Sequence, residues 1–265
     1  MRNPRVGSST SIFLSMRHLT LFSSSLASLA SLCAGQIGIA LAVTVAFAVL
    51  ARIMRGVTTS GAVAGAVISF LLYAGAGPGA FAALVLVFVL AWVTTRIGYR
   101  RKQKLGTAER REGRRASQVV ANLGVAAACS ALYRVGANPA FLLAMAAALS
   151  EAAADTVSSE LGQALGRTPR LITTWEPVPA GTDGGVSLGG TLAGVLAAAL
   201  VSWTCVVTGL LEWKWMIIST GAGVLGMVAD SLFGASFERR RLLNNDSVNF
   251  LGTAVAAAAA FLLGS

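Results

Sequence analysis

The chain has 265 residues, of which 55% are hydrophobic and only 12% are charged, and its net charge is +10. Average soluble domains carry roughly 25% charged residues, so this composition excludes an ordinary soluble protein. Several apolar runs are long enough to cross ~30 Å of hydrocarbon as helices. We therefore predict an all-α, polytopic transmembrane helix bundle with about 7–8 spans.

The N-terminal segment, residues 1–35, is rich in serine and contains Arg2, Arg5 and Arg17 but no acidic residue. This pattern is typical of a targeting segment or an organellar transit peptide. A disordered tail, a later start at Met16 and an additional membrane helix over 19–34 are the alternatives. We favour a tail with a weak helix, followed by one transmembrane domain, residues 36–265.

Eight apolar segments follow the tail, separated by glycine, proline and clusters of charge. The predicted spans are 36–54, 61–77, 79–97, 118–134, 139–162, 186–211, 215–236 and 247–264.

The basic residues are distributed unevenly between the predicted loops. Most of the 21 lysines and arginines follow the first, third, fifth and seventh spans, whereas the opposite loops hold only Arg134 and Lys214. The positive-inside rule places the basic loops in the cytoplasm. This rule explains the net charge better than nucleic-acid binding does, so we expect no nucleic-acid partner. Every acidic residue except Glu212 falls at or near the basic side, so the ionisable groups should concentrate at one membrane face.

Two carboxylates lie close together near the end of the fifth span. Glu151 and Asp155 are four residues apart and share a helical face, whereas Glu160 points elsewhere. Two carboxylates on one face repel each other unless a cation or a proton lies between them, and their oxygens suit Mg²⁺. An ion pair with Arg167 or Arg170 is the alternative.

Asp230 supplies a further carboxylate from the seventh span, on a glycine-rich stripe where another helix can approach closely. Charged side chains at membrane depth are costly and are usually functional. We therefore predict a Mg²⁺ site formed by Glu151, Asp155 and Asp230. The segment around Asp230 also echoes the segment around Asp155, which indicates either a weak internal repeat or a chance match in a chain rich in glycine and alanine.

Arginine and amide side chains precede the fourth span. Arg115, Gln118 and Asn122 are spaced so that they lie on one helical face, and Arg114 adjoins them. An arginine fork with amide donors suits phosphate recognition. The alternative is a positive-inside anchor with amide bonds between helices, which is also how we interpret the basic run at 100–104.

Two polar segments resemble anion sites at helix N-termini. The glycine-rich loop at 177–185 lets backbone N–H groups face an anion, although it lacks the ending of a Walker motif, and a tight re-entry turn is the alternative. Asp246 is a plausible N-cap of the last span. The further candidates for phosphate binding are Thr173, Thr174, Gly181, Thr182, Gly184, Gly185, Ser187, Asn245, Asp246 and Asn249.

An ordered set of motifs over roughly residues 40–264 resembles the DUF92 family of integral membrane proteins. The motifs are Gly113-Arg-Arg-x-x-Gln118-x-x-x-Asn122, Ala154-Asp-Thr-x-Ser-Ser-Glu160-x-Gly162, Pro169-Arg-x-Ile-Thr-Thr174, Gly181-Thr-x-Gly-Gly-Val-Ser187-x-x-Gly-Thr191, Asp230-Ser-x-x-Gly234-Ala and Asn245-Asp-x-Val-Asn249. That family includes a plant phytyl-phosphate kinase, which converts phytyl phosphate to phytyl diphosphate. The resemblance implies the fold more firmly than the substrate.

We therefore expect a membrane kinase that transfers a phosphoryl group from CTP or ATP to a prenyl monophosphate such as phytyl phosphate. The lipid tail would lie between the helices and its phosphate at the cytoplasmic rim. The catalytic candidates are Asp155, Arg115, Arg170 and Asp230, because phosphoryl transfer depends chiefly on positioning and charge stabilisation. We expect the bacterial inner membrane as the location, or the plastid envelope if residues 1–35 are a transit peptide.

Two other functions remain as alternatives. An ion-coupled transporter or a lipid scramblase would use Asp155 and Asp230 within the membrane, and a repeat would suit alternating access. A CTP-dependent lipid cytidylyltransferase would use a similar site. The clustering of polar residues at one face, instead of at the midplane, favours the kinase over the transporter.

Overall fold

The computed structural model of the protein describes residues 35–165 and 168–265. Apart from the first turns of helix α1, every feature below belongs to one compact unit, Thr44–Ser265. The targeting-like segment and the alternative helix over 19–34 lie outside the described residues, as does Arg167.

Within the described residues, eight helices are long and apolar enough to cross a membrane, which confirms the predicted helical bundle. They are α1 (Gly35–Ile53), α2 (Thr59–Ala76), α3 (Pro78–Arg96), α5 (Ala116–Gly136), α6 (Ala140–Ala164), α7 (Leu188–Val207), α8 (Met216–Phe233) and α9 (Asn245–Gly264). A short helix, α4 (Tyr99–Leu105), follows α3, and a π-helical turn, Gly234–Glu238, extends α8.

The helices begin where the sequence offers caps for unpaired backbone N–H groups. The side chain of Thr58 accepts a hydrogen bond from the backbone N–H of Gly61, and Ser187 does the same for Gly190. Helix α9 begins after Asn244, whose side chain accepts from the backbone N–H of Ser247. The prediction of Asp246 as the N-cap was therefore wrong, since Asp246 lies in the first turn of α9.

Helix α6 is the centre of the bundle and contacts α3, α5, α7, α8 and α9. In its most apolar stretch 83% of the residues are buried inside the protein, against 22–39% for the other spans. Small residues allow this close packing: a Cβ on Gly194 would lie against the carbonyl oxygen of Ala154, and one on Gly226 against the side chain of Glu151. The acidic residues of α6 are thereby held next to α8 and α9.

The loop between α6 and α7 contains a two-stranded sheet that the sequence did not predict. Strand β1 (Arg170–Leu171) pairs antiparallel with β2 (Gly185–Val186). Gly184 adopts a φ of +75°, and a Cβ there would overlap Ala235 at the end of α8. Glycine is therefore needed both for the backbone conformation and for the close approach, and the loop folds back over the end of the bundle.

Candidate functional site

A polar cavity of about 280 Å³ lies at the end of the bundle, where α5, α6, α8 and α9 meet the loops before α5 and before α7. Most of the predicted site residues line it, although they are scattered over more than half of the chain. These residues are Arg114, Gln118, Asn122, Asp155, Gly181, Thr182, Gly184, Gly185, Ser187, Asp230, Asn245 and Asn249.

Three carboxyl groups meet at the inner end of this cavity. The side chains of Asp155 and Asp230 lie within hydrogen-bonding reach of each other, and Glu151 lies close to both. Glu151 is only 1% exposed, and its Oε1 has no hydrogen-bond partner among the described residues. Gly252 of α9 packs directly onto this group, since a Cβ there would contact both Glu151 and Asp230.

The donor atoms, though not by themselves a complete site, are of the kind that Mg²⁺ prefers, since it takes carboxylate oxygens and keeps several water or phosphate oxygens as ligands. A buried carboxylate oxygen without a partner, next to two further carboxyl groups, needs a cation or a proton. Within the described residues, however, no three His, Cys, Asp or Glu side chains are arranged to hold a metal ion by themselves. Water or substrate oxygens would have to complete the coordination shell.

The alternative ion pair to Arg170 does not form. Arg170 is exposed and its Nη1 donates to the carbonyl oxygen of Trp175, at 2.6 Å. The basic group beside Asp155 is instead Arg114. Its Nη2 donates to the side-chain oxygen of Thr156, 3.3 Å away.

Arg114, and not Arg115, is the arginine that lines the cavity, and local backbone pairing explains why. The backbone N–H of Arg114 donates to the carbonyl oxygen of Gly56 at 3.1 Å, and its carbonyl accepts from Thr58 at 2.9 Å. This pairing fixes the direction of the Arg114 side chain. Arg115 is the exposed N-cap of α5 and precedes its first turn. The predicted face of Arg115, Gln118 and Asn122 was therefore wrong in its first member.

The amide side chains in the cavity join three helices. With its amide oriented to satisfy its neighbours, Asn249 donates to Asp230 Oδ2 at 3.3 Å and accepts from Asn122 Nδ2 at 3.1 Å. Asn122 Nδ2 also lies 2.8 Å from the carbonyl oxygen of Gln118. These hydrogen bonds connect helices α5, α8 and α9 through Asn122, Asp230 and Asn249, which were all predicted as site residues.

Six predicted residues do not line the cavity, and one of them, Glu151, is buried behind its inner end. The other five are Arg115, Arg170, Thr173, Thr174 and Asp246. Four are exposed and Asp246 is partly buried. After β1 the chain makes a turn that includes Trp175, whose φ is +58°. Of the four catalytic candidates, the structure therefore brings together only Asp155 and Asp230.

Lys102 was missed by sequence reasoning, which interpreted the basic run at 100–104 as a surface anchor. Lys102 is fully buried and forms an ion pair with Glu160. Its Nζ also donates to the carbonyl oxygens of Thr94 and Thr95, at 3.0 and 2.8 Å. Four basic residues in close succession conceal which one turns inward, so the sequence contains no signal for this pair.

Glu109 was missed as well. Its Oε2 accepts a hydrogen bond from Gln118 Nε2 at 3.2 Å, and Tyr99 donates to its carbonyl oxygen at 3.2 Å. Asp183 and Glu238 complete the acidic lining of the cavity. Burial raises the pKa of the Asp183 carboxyl, and the charge of Arg239 opposes that shift.

The cavity carries an excess of negative groups. Its acidic lining residues are Glu109, Asp155, Glu160, Asp183, Asp230 and Glu238, and Arg114 is the only basic residue among the described residues that line it. A free anion is therefore disfavoured here, whereas a phosphate that arrives with a cation is suited to the cavity.

A second, apolar cavity of about 320 Å³ adjoins the polar one. It lies between α1, α2, α3 and α5, and its apolar lining includes Phe47, Leu84 and Phe88. The two cavities share four lining residues, which are Glu109, Arg114, Gln118 and Asn122. The apolar cavity also has basic residues at its polar end: Arg55, Arg96, Arg110 and Arg111.

Comparison with known proteins agrees with the resemblance in the motifs. Residues 42–257 match the model of integral membrane protein DUF92. Protein VTE6, chloroplastic, from Arabidopsis thaliana is 30% identical over 220 residues, which cover 80% of this chain but only 66% of that protein. Uncharacterized membrane protein MJ0933 from Methanocaldococcus jannaschii is 35% identical over 211 residues, or 78% of this chain and 86% of that protein.

A cyanobacterial relative, uncharacterized membrane protein sll0875 from Synechocystis sp., is 34% identical over 199 residues, covering 72% of this chain and 77% of that protein. No solved structure matches the chain. The match to the family model extends over most of the transmembrane bundle and includes every segment that lines the two cavities. The chain belongs to the DUF92 family of integral membrane proteins.

Proposed function

We propose that the protein is a membrane kinase that transfers the terminal phosphoryl group of CTP or ATP to a prenyl monophosphate such as phytyl phosphate. The observation that carries this proposal is the pair of adjoining cavities, one apolar and one polar, with Arg114 in the wall of both. A lipid with an apolar tail and a phosphate head group matches an apolar cavity that adjoins a polar one. The resemblance to a family that includes a phytyl-phosphate kinase supports the same substrate class.

The acceptor would bind with its tail in the apolar cavity and its phosphate at the shared wall. There Arg114 can form bidentate bonds to phosphate oxygens, and the amides of Gln118 and Asn122 add neutral donors. The nucleotide would place its phosphates in the polar cavity, in front of Asp155 and Asp230. The two phosphates then meet where the cavities join.

The reaction needs little covalent chemistry from the protein. An oxygen of the acceptor phosphate attacks the terminal phosphorus of the nucleotide, the bond from that phosphorus to the bridging oxygen breaks, and a nucleoside diphosphate leaves. The acceptor oxygen is already ionised at neutral pH, so no general base is required. What the chain must supply is alignment and compensation of charge.

Asp155 and Asp230, with Glu151 behind them, are the residues that would hold Mg²⁺, and water or phosphate oxygens would have to complete its coordination shell. When bound, Mg²⁺ neutralises charge on the phosphate oxygens and orients them. The carboxylates hold the inner end of the cavity for a cation and disfavour a free anion there. Asn249, through its bond to Asp230, keeps that carboxyl group in place.

One observation favours a second candidate, an ion-coupled transporter. Glu151 lies near the middle of α6, at about the depth where a transporter holds its coupling ion. The other polar groups of the cavity lie toward one end of the bundle, which supports the kinase.

The test is a transfer assay with purified protein and CTP or ATP labelled separately at the α- and γ-phosphates, offered with farnesyl, geranylgeranyl or phytyl monophosphate. The kinase moves only the γ-label to the lipid, whereas a cytidylyltransferase moves the α-label. If no label reaches the lipid, and reconstituted vesicles take up a solute only when a coupling ion is present, the protein is a transporter instead.

A further inference from the structure

The apolar cavity extends only part of the way through the bundle. Along α3 its lining runs from Arg96 at the polar end to Leu84, twelve residues earlier in the helix. At ~1.5 Å per residue this depth is about 18 Å, or a little over half of the ~30 Å hydrocarbon layer. A tail that binds along the cavity therefore reaches an end well before the opposite membrane face.

An aromatic stack closes the inner end of the cavity. Phe47 of α1 packs edge-on against Phe88 and Phe81 of α3, with ring centroids 5.3 and 5.4 Å apart. Tyr73 of α2 packs on the far side of Phe81, at 5.8 Å. Such edge-to-face pairs are favourable beyond the area that they bury. Three helices thus contribute to one floor beneath the cavity.

Gly65 leaves one wall of the cavity open. It lines the cavity on α2, and a Cβ there would meet no atom within 4 Å. One turn earlier Gly61 differs, because a Cβ there would overlap the carbonyl oxygen of Arg114. Gly65 lies six residues into α2, so it stands about 9 Å from the polar end, near half of the depth.

From this geometry we infer that the apolar cavity limits the length of the prenyl tail that can bind inside it. Phe47 forms the floor of the cavity, and Gly65 is the position that leaves room for the inner half of the tail. The inference rests on the proposed function and narrows its substrate class. The acceptors are monophosphates of a few isoprene units, such as geranylgeranyl or phytyl phosphate. A polyprenyl monophosphate long enough to span a bilayer gains nothing from its additional units inside this cavity.

The experiment measures binding without nucleotide, so that it does not depend on catalysis. Parent protein in lipid nanodiscs is titrated with geranyl, geranylgeranyl and undecaprenyl monophosphate. We expect geranylgeranyl phosphate to bind more tightly than geranyl phosphate, because more methylene groups are buried, and undecaprenyl phosphate to bind no more tightly than geranylgeranyl phosphate.

Gly65→Leu then fills the inner half of the cavity. It should weaken the binding of geranylgeranyl phosphate by at least about tenfold and leave the binding of geranyl phosphate nearly unchanged. Gly221→Leu is the matched control, since Gly221 lies on an exposed part of α8, outside both cavities, with nothing within 4 Å of its Cβ position. Phe47→Ala acts in the opposite direction, and should improve binding of the longer tails relative to geranyl phosphate.

The inference is overturned if Gly65→Leu weakens the binding of geranyl and geranylgeranyl phosphate equally. It is also overturned if Gly65→Leu and Phe47→Ala both leave the preference for tail length unchanged. So does a parent protein that binds undecaprenyl phosphate far more tightly than geranylgeranyl phosphate. If the parent protein shows the expected binding pattern but transfers no phosphoryl group from any nucleotide, the proposed kinase function is refuted. The inference that the cavity limits the tail length is not affected by that result.

Discussion

Lys102 and Glu160 form an ion pair inside the protein, with Lys102 fully buried and Glu160 in the wall of the polar cavity. The other oxygen of Glu160 accepts from Thr95 Oγ1 at 2.9 Å. The carboxylate is thus occupied by two partners from the segment of α3 and α4, and it connects that segment to α6. The pair therefore holds one wall of the polar cavity in position.

Lys102→Met should therefore destabilise the protein by about 3–5 kcal/mol, because it leaves the Glu160 carboxylate without its charged partner. Lys104→Met, two residues along the same helix and exposed, should change stability by at most about 0.5 kcal/mol. Thermal melts of both variants in detergent measure the difference. Equal melting temperatures would show that the pair does not hold α4 to α6.

Arg114→Lys should lower kcat/KM for the prenyl monophosphate by at least about tenfold, since lysine keeps the charge but loses the planar fork. Arg115→Lys is the matched control and should have little effect, because Arg115 is exposed outside both cavities. The sequence alone favoured Arg115 for this role. Kinetics that are impaired by Arg115→Lys and unaffected by Arg114→Lys would restore that first interpretation.

The basic loop that contains α4 should be cytoplasmic. In a background without cysteine, a cysteine at Gln103 should resist an impermeant maleimide in intact cells, and one at Lys214 should react. Gln103 suits this test because it is exposed on α4. Ready labelling at Gln103 together with protection at Lys214 would reverse the orientation of the whole bundle.

The stability contribution of Asp183 should depend on pH. Burial raises its pKa in the folded protein and Arg239 opposes the shift, so folding favours the protonated form. The contribution is then fully present below the unfolded pKa and is lost as the pH rises through the raised, folded value. Asp183→Asn should remove this loss. The melting temperature of the parent minus that of the variant should therefore fall as the pH rises in acid solution. A difference in melting temperature that is constant or rises over that range contradicts the assignment.

Periodicity and hydropathy predicted the eight spans closely, because a membrane helix is specified by length and apolar composition. The positions of Asp155 and Asp230 could be predicted as well, since carboxylates in apolar helices are conspicuous. The inward direction of Arg114 could not, because it depends on backbone pairing with a segment more than fifty residues earlier. The burial of Lys102 likewise depends on a partner, Glu160, on a distant helix.

Asp155 and Asp230 are the residues on which the account depends most. The comparison is between the parent protein and Asp155→Asn, which keeps the size of the side chain but is a poor Mg²⁺ ligand. Asp246→Asn is the matched control, since Asp246 lies in the first turn of α9 and does not line the cavity. All three proteins should insert and fold, because the substitution in α6 removes a charge that is costly within a membrane.

The measurement is the melting temperature of each protein with and without Mg²⁺ and CTP. The parent and Asp246→Asn should gain stability from the two ligands together, by about 2.7 kcal/mol at a hundredfold excess over Kd. Asp155→Asn should be at least as stable as the parent without ligands, and should gain nothing from them. A parent whose melting temperature ignores Mg²⁺ and CTP, beside an Asp155→Asn variant that is destabilised in every condition, would contradict the cation site and the kinase that depends on it.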